Sequence, residues 1–84
     1  MVIPMTSVNP NSTGQRIRRQ RRLLGMTQRE LGKKLGVTDT TVWMWEKDRA
    51  RVSLRLRRAL CQVLCLDMQI LFGDEEDRPR RAAA

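Results

Sequence analysis

The chain contains no histidine, and only three of its 84 residues are aromatic: Trp43, Trp45 and Phe72. Without histidine, no imidazole is present to act as a general base or a metal ligand. No apolar run approaches the roughly 18 residues that span a bilayer, and residues 1–5 lack the basic flank of a secretory signal. We therefore expect neither an enzyme nor a membrane protein.

Cysteine is also scarce. Cys61 and Cys65 lie four residues apart in a stretch with helical periodicity, a spacing that fits disulfide geometry poorly. We interpret both as free thiols that pack as small hydrophobic side chains in a reducing compartment. Two thiolates without histidine supply half a zinc site at best, so no metal or other cofactor is expected.

Positive charge, in contrast, is abundant. The chain has 17 Lys and Arg against 9 Asp and Glu, a net charge of +8, and residues 13–58 alone hold 14 of these cations and only 4 anions. A concentration of this kind favours an anionic partner such as nucleic acid. A membrane-surface helix needs a broad apolar face, which Ile17 and Leu24 do not provide. A basic face that is merely solvated is the alternative.

The apolar periodicity predicts one small all-α domain of five short helices and no strand. Residues 1–12, with Pro4 and Pro10, have no periodicity and are predicted to be a flexible arm. Residues 13–73 are predicted to form the domain. Residues 74–84, acidic and then basic, are predicted to be a charged flexible tail.

Helix-start and helix-stop signals divide residues 13–36 into two helices. Thr13 is expected to cap the first, with Ile17, Arg21 and Leu24 facing inward and Gly25 at its end. The second opens with a capping box of Thr27 and Glu30, buries Leu31 and Leu35, and stops at Gly36.

The third helix is predicted over residues 38–46, with Thr38 as its cap and Val42 and Trp45 facing inward. Ser53 is expected to cap a fourth helix that ends near Leu64. Its predicted inward residues are Leu56, Leu60, Val63 and Leu64. Asp67 is expected to cap a short last turn, residues 68–72, that Gly73 ends.

The second and third helices carry the functional signal. Two helices of about eight residues joined by a tight turn at Gly36 are typical of a helix-turn-helix. Because the third helix buries only Val42 and Trp45, its outer face is left for a ligand, and the DNA major groove is wide enough to admit a helix. The start of the second helix, at Thr27 and Gln28, offers spare amides to phosphate.

These residues also match the spacing of a known family. The spacing is Thr27-Gln28-x-x-Leu31-x-x-x-x-Gly36-Val37-Thr38-x-x-x-Val42-x-x-Trp45-Glu46, and it resembles that of the lambdoid-phage repressor and Cro class of helix-turn-helix proteins. The resemblance runs from about residue 14 to residue 72. It implies a compact five-helix, lambda-repressor-like DNA-binding domain. The implied function is that of a sequence-specific transcriptional regulator, a Cro-like phage or prophage repressor in the bacterial cytoplasm, on the nucleoid.

The resemblance implies roles for individual residues. Gln28 is expected to hydrogen-bond a DNA phosphate and to support the third helix. Arg49 and Arg51 are expected to clamp the DNA backbone, and Arg21 and Glu46 match an interior salt bridge. The positions that match groove-facing residues are Thr38, Asp39, Thr40, Thr41, Trp43 and Met44.

Several of these positions have a purely structural interpretation as well. Met44 could pack inward, and Trp43 could fold over the surface or lie at a subunit contact. Thr38 is first a helix cap. Asp39 can accept a hydrogen bond from cytosine N4 or do no more than stabilise the helix N-terminus.

The expected partner is double-stranded DNA with a palindromic operator, because one recognition helix reads few base pairs and the family binds as symmetric dimers. No small-molecule ligand is expected. The candidate homodimer surface is the apolar part of residues 66–72, and the alternative is that these side chains only close the core. They are Leu66, Met68, Ile70, Leu71 and Phe72.

A hypothesis of another class is an antitoxin or adaptor that uses the same fold to hold a protein partner, with residues 74–84 folding on binding. The chain also departs from the family pattern in places. Asp48 stands where glycine is usual, Val52 where proline is common, and Cys65 where glycine is frequent. Arg57 and Arg58 replace leucines, which leaves the register of the fourth helix open.

Overall fold

Local capping signals define where the helices of this chain begin and end. In the computed structural model, which describes the backbone of residues 12–76 and the side chains of residues 12–73, five α-helices follow one another. They are α1 (Thr13–Leu23), α2 (Gln28–Leu35), α3 (Asp39–Glu46), α4 (Leu54–Leu64) and α5 (Met68–Glu76). The described residues contain no strand, so the predicted all-α class is confirmed. Apart from Ser12, the predicted arm lies outside the described residues, as does the predicted tail from residue 77 onward.

The caps of α2 and α3 are those that the sequence predicts. Thr27 Oγ1 accepts a hydrogen bond from the Glu30 N–H (3.0 Å), and Glu30 Oε1 accepts one from the Thr27 N–H (2.9 Å). Thr38 Oγ1 accepts from the Thr41 N–H at 3.2 Å. Gly36 ends α2 with a φ of 77°, a left-handed conformation that costs glycine little. Together these residues fix the turn between α2 and α3.

The first and last helices differ from the prediction. The cap of α1 is Ser12 rather than Thr13, since Ser12 Oγ accepts from the Gln15 N–H at 3.1 Å. The stop predicted at Gly73 is wrong: α5 passes through this residue to Glu76, because Gly73 does not take the positive φ that ends a helix. Ser53 is the N-cap of α4 but makes no side-chain cap hydrogen bond.

One core collects apolar side chains from all five helices. α3 packs against α1 and α2, and α5 packs against α1 and α4. Leu24, which is predicted to face inward, is exposed because α1 ends at Leu23 and Leu24 is only its C-cap. Met26 packs against the core instead. The buried apolar residues are Ile17, Leu31, Val42, Trp45, Val52, Leu60, Cys61, Leu64, Leu71 and Phe72.

The register of α4 places an arginine in the interior. Leu60 and Leu64 are buried as predicted, whereas Leu56 and Val63 are only partly buried. Arg57 is buried on the same face: its Nε donates to the Val52 carbonyl at 3.2 Å. Its guanidinium lies 4.6 Å from the centroid of the Phe72 ring, within the range of a cation–π contact.

The predicted dimer surface is largely part of this core. Leu71 and Phe72 are fully buried, and Leu66 and Met68 are partly buried against the core. Ile70, with 59% of its surface exposed, is the one member of that set that faces solvent. The interpretation that these side chains close the core therefore holds for four of the five. Within residues 12–76, no helix is both long and apolar enough to cross a bilayer.

The two cysteines lie in different environments. Both are free thiols, but only Cys61 is buried, and the packing predicted for Cys65 is wrong because this residue is the exposed C-cap of α4 with a φ of 60°. Burial raises the pKa of the Cys61 thiol, Asp67 raises it further, and Arg57 opposes the shift.

We expect iodoacetamide to alkylate Cys65 about tenfold faster than Cys61 or more, because the reagent attacks an accessible thiolate. Mass spectrometry of the intact protein, with Cys61→Ser and Cys65→Ser as matched single-thiol controls, measures the two rates. Equal rates in the folded protein would contradict the difference in burial.

Candidate nucleic-acid interface

A buried ion pair joins α1 to the end of α3. Arg21 Nε lies 2.6 Å from Glu46 Oε2, and Arg21 Nη2 donates to Glu46 Oε1 at 3.1 Å. The third guanidinium nitrogen, Nη1, donates to the Met26 carbonyl at 2.8 Å. Such two-point geometry is among the strongest available to a charged pair. It fixes the orientation of α3 against α1.

Gln28, the first residue of α2, extends this pair into a network. Its Nε2 donates to Glu46 Oε1 at 3.1 Å, so one carboxylate holds side chains from both α1 and α2. An amide nitrogen carries two hydrogens. Gln28 can therefore support α3 with one N–H and offer the other to a ligand.

The outer face of α3 is open at its beginning and in its middle. Val42, Trp45 and Glu46 are buried on the inner side. The exposed residues that the resemblance places in a groove are Thr38, Asp39, Thr40 and Trp43, while Thr41 and Met44 are partly buried. Neither Thr40 nor Met44 is enclosed in the core.

Arg49, in the segment after α3, lies against that face. Its guanidinium is 5.4 Å from the centroid of the Trp43 ring, and its backbone N–H donates to the Met44 carbonyl at 2.9 Å. Cation–π stacking of this kind orients a guanidinium while leaving its N–H groups available. Arg51 is exposed two residues later.

A polar cleft of about 270 Å³ opens beside Gln28, between α1 and the end of α3. The Arg21–Glu46 pair is part of its lining, and its other cations are Arg18, Arg22 and Lys47. The complete lining is Gln15, Arg18, Arg21, Arg22, Gln28, Trp43, Glu46 and Lys47. The arrangement suits an anion such as a phosphate, because several cations and Gln28, the first residue of α2, line the cleft. The side chains described include no group of three or more potential metal ligands.

The sequence alone did not single out these cleft cations. In the sequence, Arg18 and Arg22 are two of the 14 cations in residues 13–58, and Lys47 lies just after the third helix, so none of the three is predicted to contact DNA. Their spacing of four residues, which places Arg18 and Arg22 on one helix face, was the available signal. Lys47 joins them only through the packing of α3 on α1.

Comparison with known proteins identifies the family. A helix-turn-helix family matches residues 17–71. The chain belongs to the helix-turn-helix family.

Several HTH-type transcriptional regulators are similar in sequence to this chain. The HTH-type transcriptional regulator DicA of Escherichia coli K12 is 40% identical over 67 residues, which are 79% of this chain and 50% of DicA. An uncharacterized HTH-type transcriptional regulator of Archaeoglobus fulgidus is 41% identical over 63 residues, 73% of this chain and 90% of that protein. An uncharacterized HTH-type transcriptional regulator of Sinorhizobium medicae is 36% identical over 61 residues, 73% of this chain. This chain spans half the length of DicA and 44% of the Sinorhizobium protein.

A solved helix-turn-helix structure also matches the fold. The P22 c2 repressor, crystallised with the synthetic operator 9T, has a TM-score of 0.69 and 30% identity, covering 71% of this chain and 91% of that one. The predicted lambda-repressor-like fold is therefore confirmed. In this chain, α2 and α3 are the two helices of the motif, and Gly36 forms the turn between them.

We expect Glu46→Ala to lower the free energy of unfolding by about 3–5 kcal/mol, because it leaves the Arg21 guanidinium buried without its partner. Urea denaturation followed by circular dichroism measures the change. The double variant Arg21→Met/Glu46→Leu is the control, since apolar replacement of both members of a buried pair is often close to neutral. Equal losses in the single and the double variant would contradict a role for charge pairing.

Proposed function

We propose that this chain is a sequence-specific DNA-binding transcriptional regulator, a Cro-like phage or prophage repressor whose residues 13–73 bind duplex DNA. The observation that carries the proposal is the face of α3: Thr38, Asp39 and Thr40 are exposed, while Val42 and Trp45 anchor the opposite side. A helix held in this way has a free surface of the width that a major groove admits.

Base reading is assigned to the outer residues of α3. Thr40 and Thr41 carry hydroxyls that can donate or accept at base edges, and Met44 offers an apolar contact for a thymine methyl group. Asp39 has an acceptor for cytosine N4 at the exposed start of the helix. Thr38 caps α3, and we assign its exposed hydroxyl a contact with the DNA backbone.

Phosphate binding is assigned to the elements on either side of α3. Gln28 keeps an N–H for a phosphate beside the amides at the start of α2. Arg18 and Lys47 line the same cleft. Arg49 and Arg51 follow α3 in the chain, and Arg49 is oriented by its contact with the Trp43 ring. Contacts of this kind fix the position of a protein on the duplex without reading its sequence.

The similarity to regulators supports the biological role. DicA is an HTH-type transcriptional regulator, and the P22 c2 repressor was crystallised with an operator. A protein that acts on operators works where the bacterial DNA lies, in the cytoplasm at the nucleoid. We assign repression to this chain by its likeness to the c2 repressor.

We also propose that the chain binds a palindromic operator as a homodimer through its C-terminal helical region. A symmetric pair presents two copies of α3, and half-sites separated by about one helical turn match that symmetry. On this surface Ile70 is the exposed apolar residue that a partner would cover.

Selection of bound duplexes from a random pool tests base reading. We expect the parent chain to enrich one palindrome and Thr40→Ala to change the base preferred at one position of each half-site. The expected cost on the parental site is about 1–3 kcal/mol. Equal affinity of the parent chain for all duplexes at every salt concentration would contradict the proposal.

We expect Arg49→Ala to weaken binding to every duplex alike and to reduce the salt dependence of log affinity by about 1, the effect of one lost phosphate contact. Titrations at several salt concentrations measure both quantities. Arg58→Ala is the matched control, because it removes the same charge from an exposed position on α4 that has no assigned DNA contact. An Arg49→Ala variant that behaves like this control would remove Arg49 from the interface.

Analytical ultracentrifugation tests the dimer. We expect Ile70→Glu to weaken association about tenfold or more, because burial of one such side chain contributes roughly 1.5–3 kcal/mol. Leu54→Glu, a change at an exposed apolar position on α4, is the control. If both variants associate like the parent chain, the dimer surface lies elsewhere.

A further inference from the structure

Asp48 connects the end of the helix-turn-helix to the start of the domain. This residue lies two positions after the end of α3, yet its carboxylate contacts the first turn of α1. Oδ1 accepts a hydrogen bond from the Gly14 N–H at 2.9 Å, and Oδ2 accepts one from the Ser12 hydroxyl at 2.7 Å. Two elements more than 30 residues apart in the chain are thereby joined.

The start of α1 is suited to receive a carboxylate. The first amides of a helix have no partner within it, and the Ser12 hydroxyl oxygen accepts from one of them, the Gln15 N–H. Asp48 serves the Gly14 amide and places its negative charge at the positive end of the helix dipole. A β-carbon at position 14 would collide with the Trp45 carbonyl oxygen and would lie 2.7 Å from both Asp48 Oδ1 and the Glu46 carbonyl oxygen. The close approach of α1 to the end of α3 and to Asp48 therefore requires glycine.

The backbone of Asp48 is not in its preferred state. Its φ is 59°, in the left-handed region, where glycine is unstrained and Asp and Asn are tolerated better than most other residues. Glycine would suit this backbone conformation better but has no carboxylate. Compared with glycine, aspartate at this position has a less favourable backbone conformation, but it makes two hydrogen bonds to the start of α1.

The next residue along the chain is Arg49, which stacks on Trp43 at the edge of the α3 face. The position of its backbone depends on the turn that Asp48 forms, in which the Asp48 N–H donates to the Trp45 carbonyl and the Arg49 N–H to the Met44 carbonyl. A carboxylate anchored to α1 prevents this turn from moving away from the domain.

We propose that Asp48 is a positioning residue for DNA binding: its carboxylate latches the segment after α3 to the first turn of α1 and so holds Arg49 where it contacts the DNA backbone. The proposal rests on the DNA-binding function proposed above. The alternative is that Asp48 only repels DNA phosphates. In that case, removal of its charge would strengthen DNA binding, whereas loss of its hydrogen bonds to α1 would weaken it.

Two variants separate the effect of the Asp48 hydrogen bonds to the start of α1, here called the latch, from the effect of its negative charge. Asp48→Gly removes both, whereas Asp48→Asn removes the charge but keeps an oxygen acceptor for the Gly14 amide and a side chain that tolerates a positive φ. For Asp48→Gly we expect DNA binding to weaken about tenfold. We also expect the slope of log affinity against log salt concentration to fall in magnitude by about 1, although loss of a negative charge alone would favour binding. For Asp48→Asn we expect affinity equal to that of the parent chain or greater.

Amide hydrogen exchange without DNA measures the latch itself. We expect the Gly14 amide to exchange faster in Asp48→Gly and to stay protected in Asp48→Asn, with changes confined to the start of α1 and residues 47–52. The melting temperature of Asp48→Gly is expected to stay within about 5 °C of the parent value, because relief of the backbone offsets the lost hydrogen bonds. A folded variant with weakened DNA binding separates positioning from stability.

Affinity and Gly14 exchange together distinguish a positioning role of Asp48 from simple charge repulsion. Affinity that follows Gly14 protection across the three proteins supports the latch, while tighter binding by both variants shows that Asp48 acts only as a repelling charge and overturns it. Unchanged Gly14 exchange in Asp48→Gly also overturns it. A parent chain that binds no duplex overturns the proposed function and the DNA role of Asp48, and the exchange rates then decide separately whether the latch exists.

Discussion

The arrangement of the three N-terminal helices depends on one carboxylate. Glu46 is nearly inaccessible to solvent, and it accepts hydrogen bonds from Arg21 of α1 and Gln28 of α2 while belonging to α3 itself. Apolar packing alone leaves helices some freedom to slide and rotate, whereas a buried charge tolerates few geometries because unsatisfied positions are costly. No buried side-chain polar atom in the part of the chain that the structure describes lacks a partner. The direction of α3, and with it the exposed face, follows from this constraint.

Features that depend on nearby residues could be predicted from the sequence. The helix caps and the turn between α2 and α3 each involve only a few consecutive residues, so they can be recognised without knowledge of the fold. They are the capping box of Thr27 and Glu30, the cap at Thr38 and the left-handed turn at Gly36. The inward positions of Val42 and Trp45 follow from helical periodicity in the same way. The family resemblance added the family's fold, which the structural comparison bears out.

Features that depend on distant residues could not be predicted in this way. Asp48 is unusual in the sequence, but its partner lies 34 residues away at Gly14, and no local pattern identifies that amide. The burial of Arg57 depends on the Phe72 ring and the Val52 carbonyl, which only the packing of α5 and the loop supplies. Leu24 and Gly73 show another limit. Their residue types predict burial and a helix end, but α1 ends before Leu24, and the backbone at Gly73 continues as ordinary helix.

The division of α3 into an anchored side and an open side has a consequence for divergence. Val42, Trp45 and Glu46 attach the helix, and substitutions at exposed positions such as Thr40 change the free energy of unfolding by only about 0.5 kcal/mol or less. Mutations can therefore accumulate on the open side without unfolding the domain. One scaffold of this type can acquire many different surface chemistries over evolutionary time.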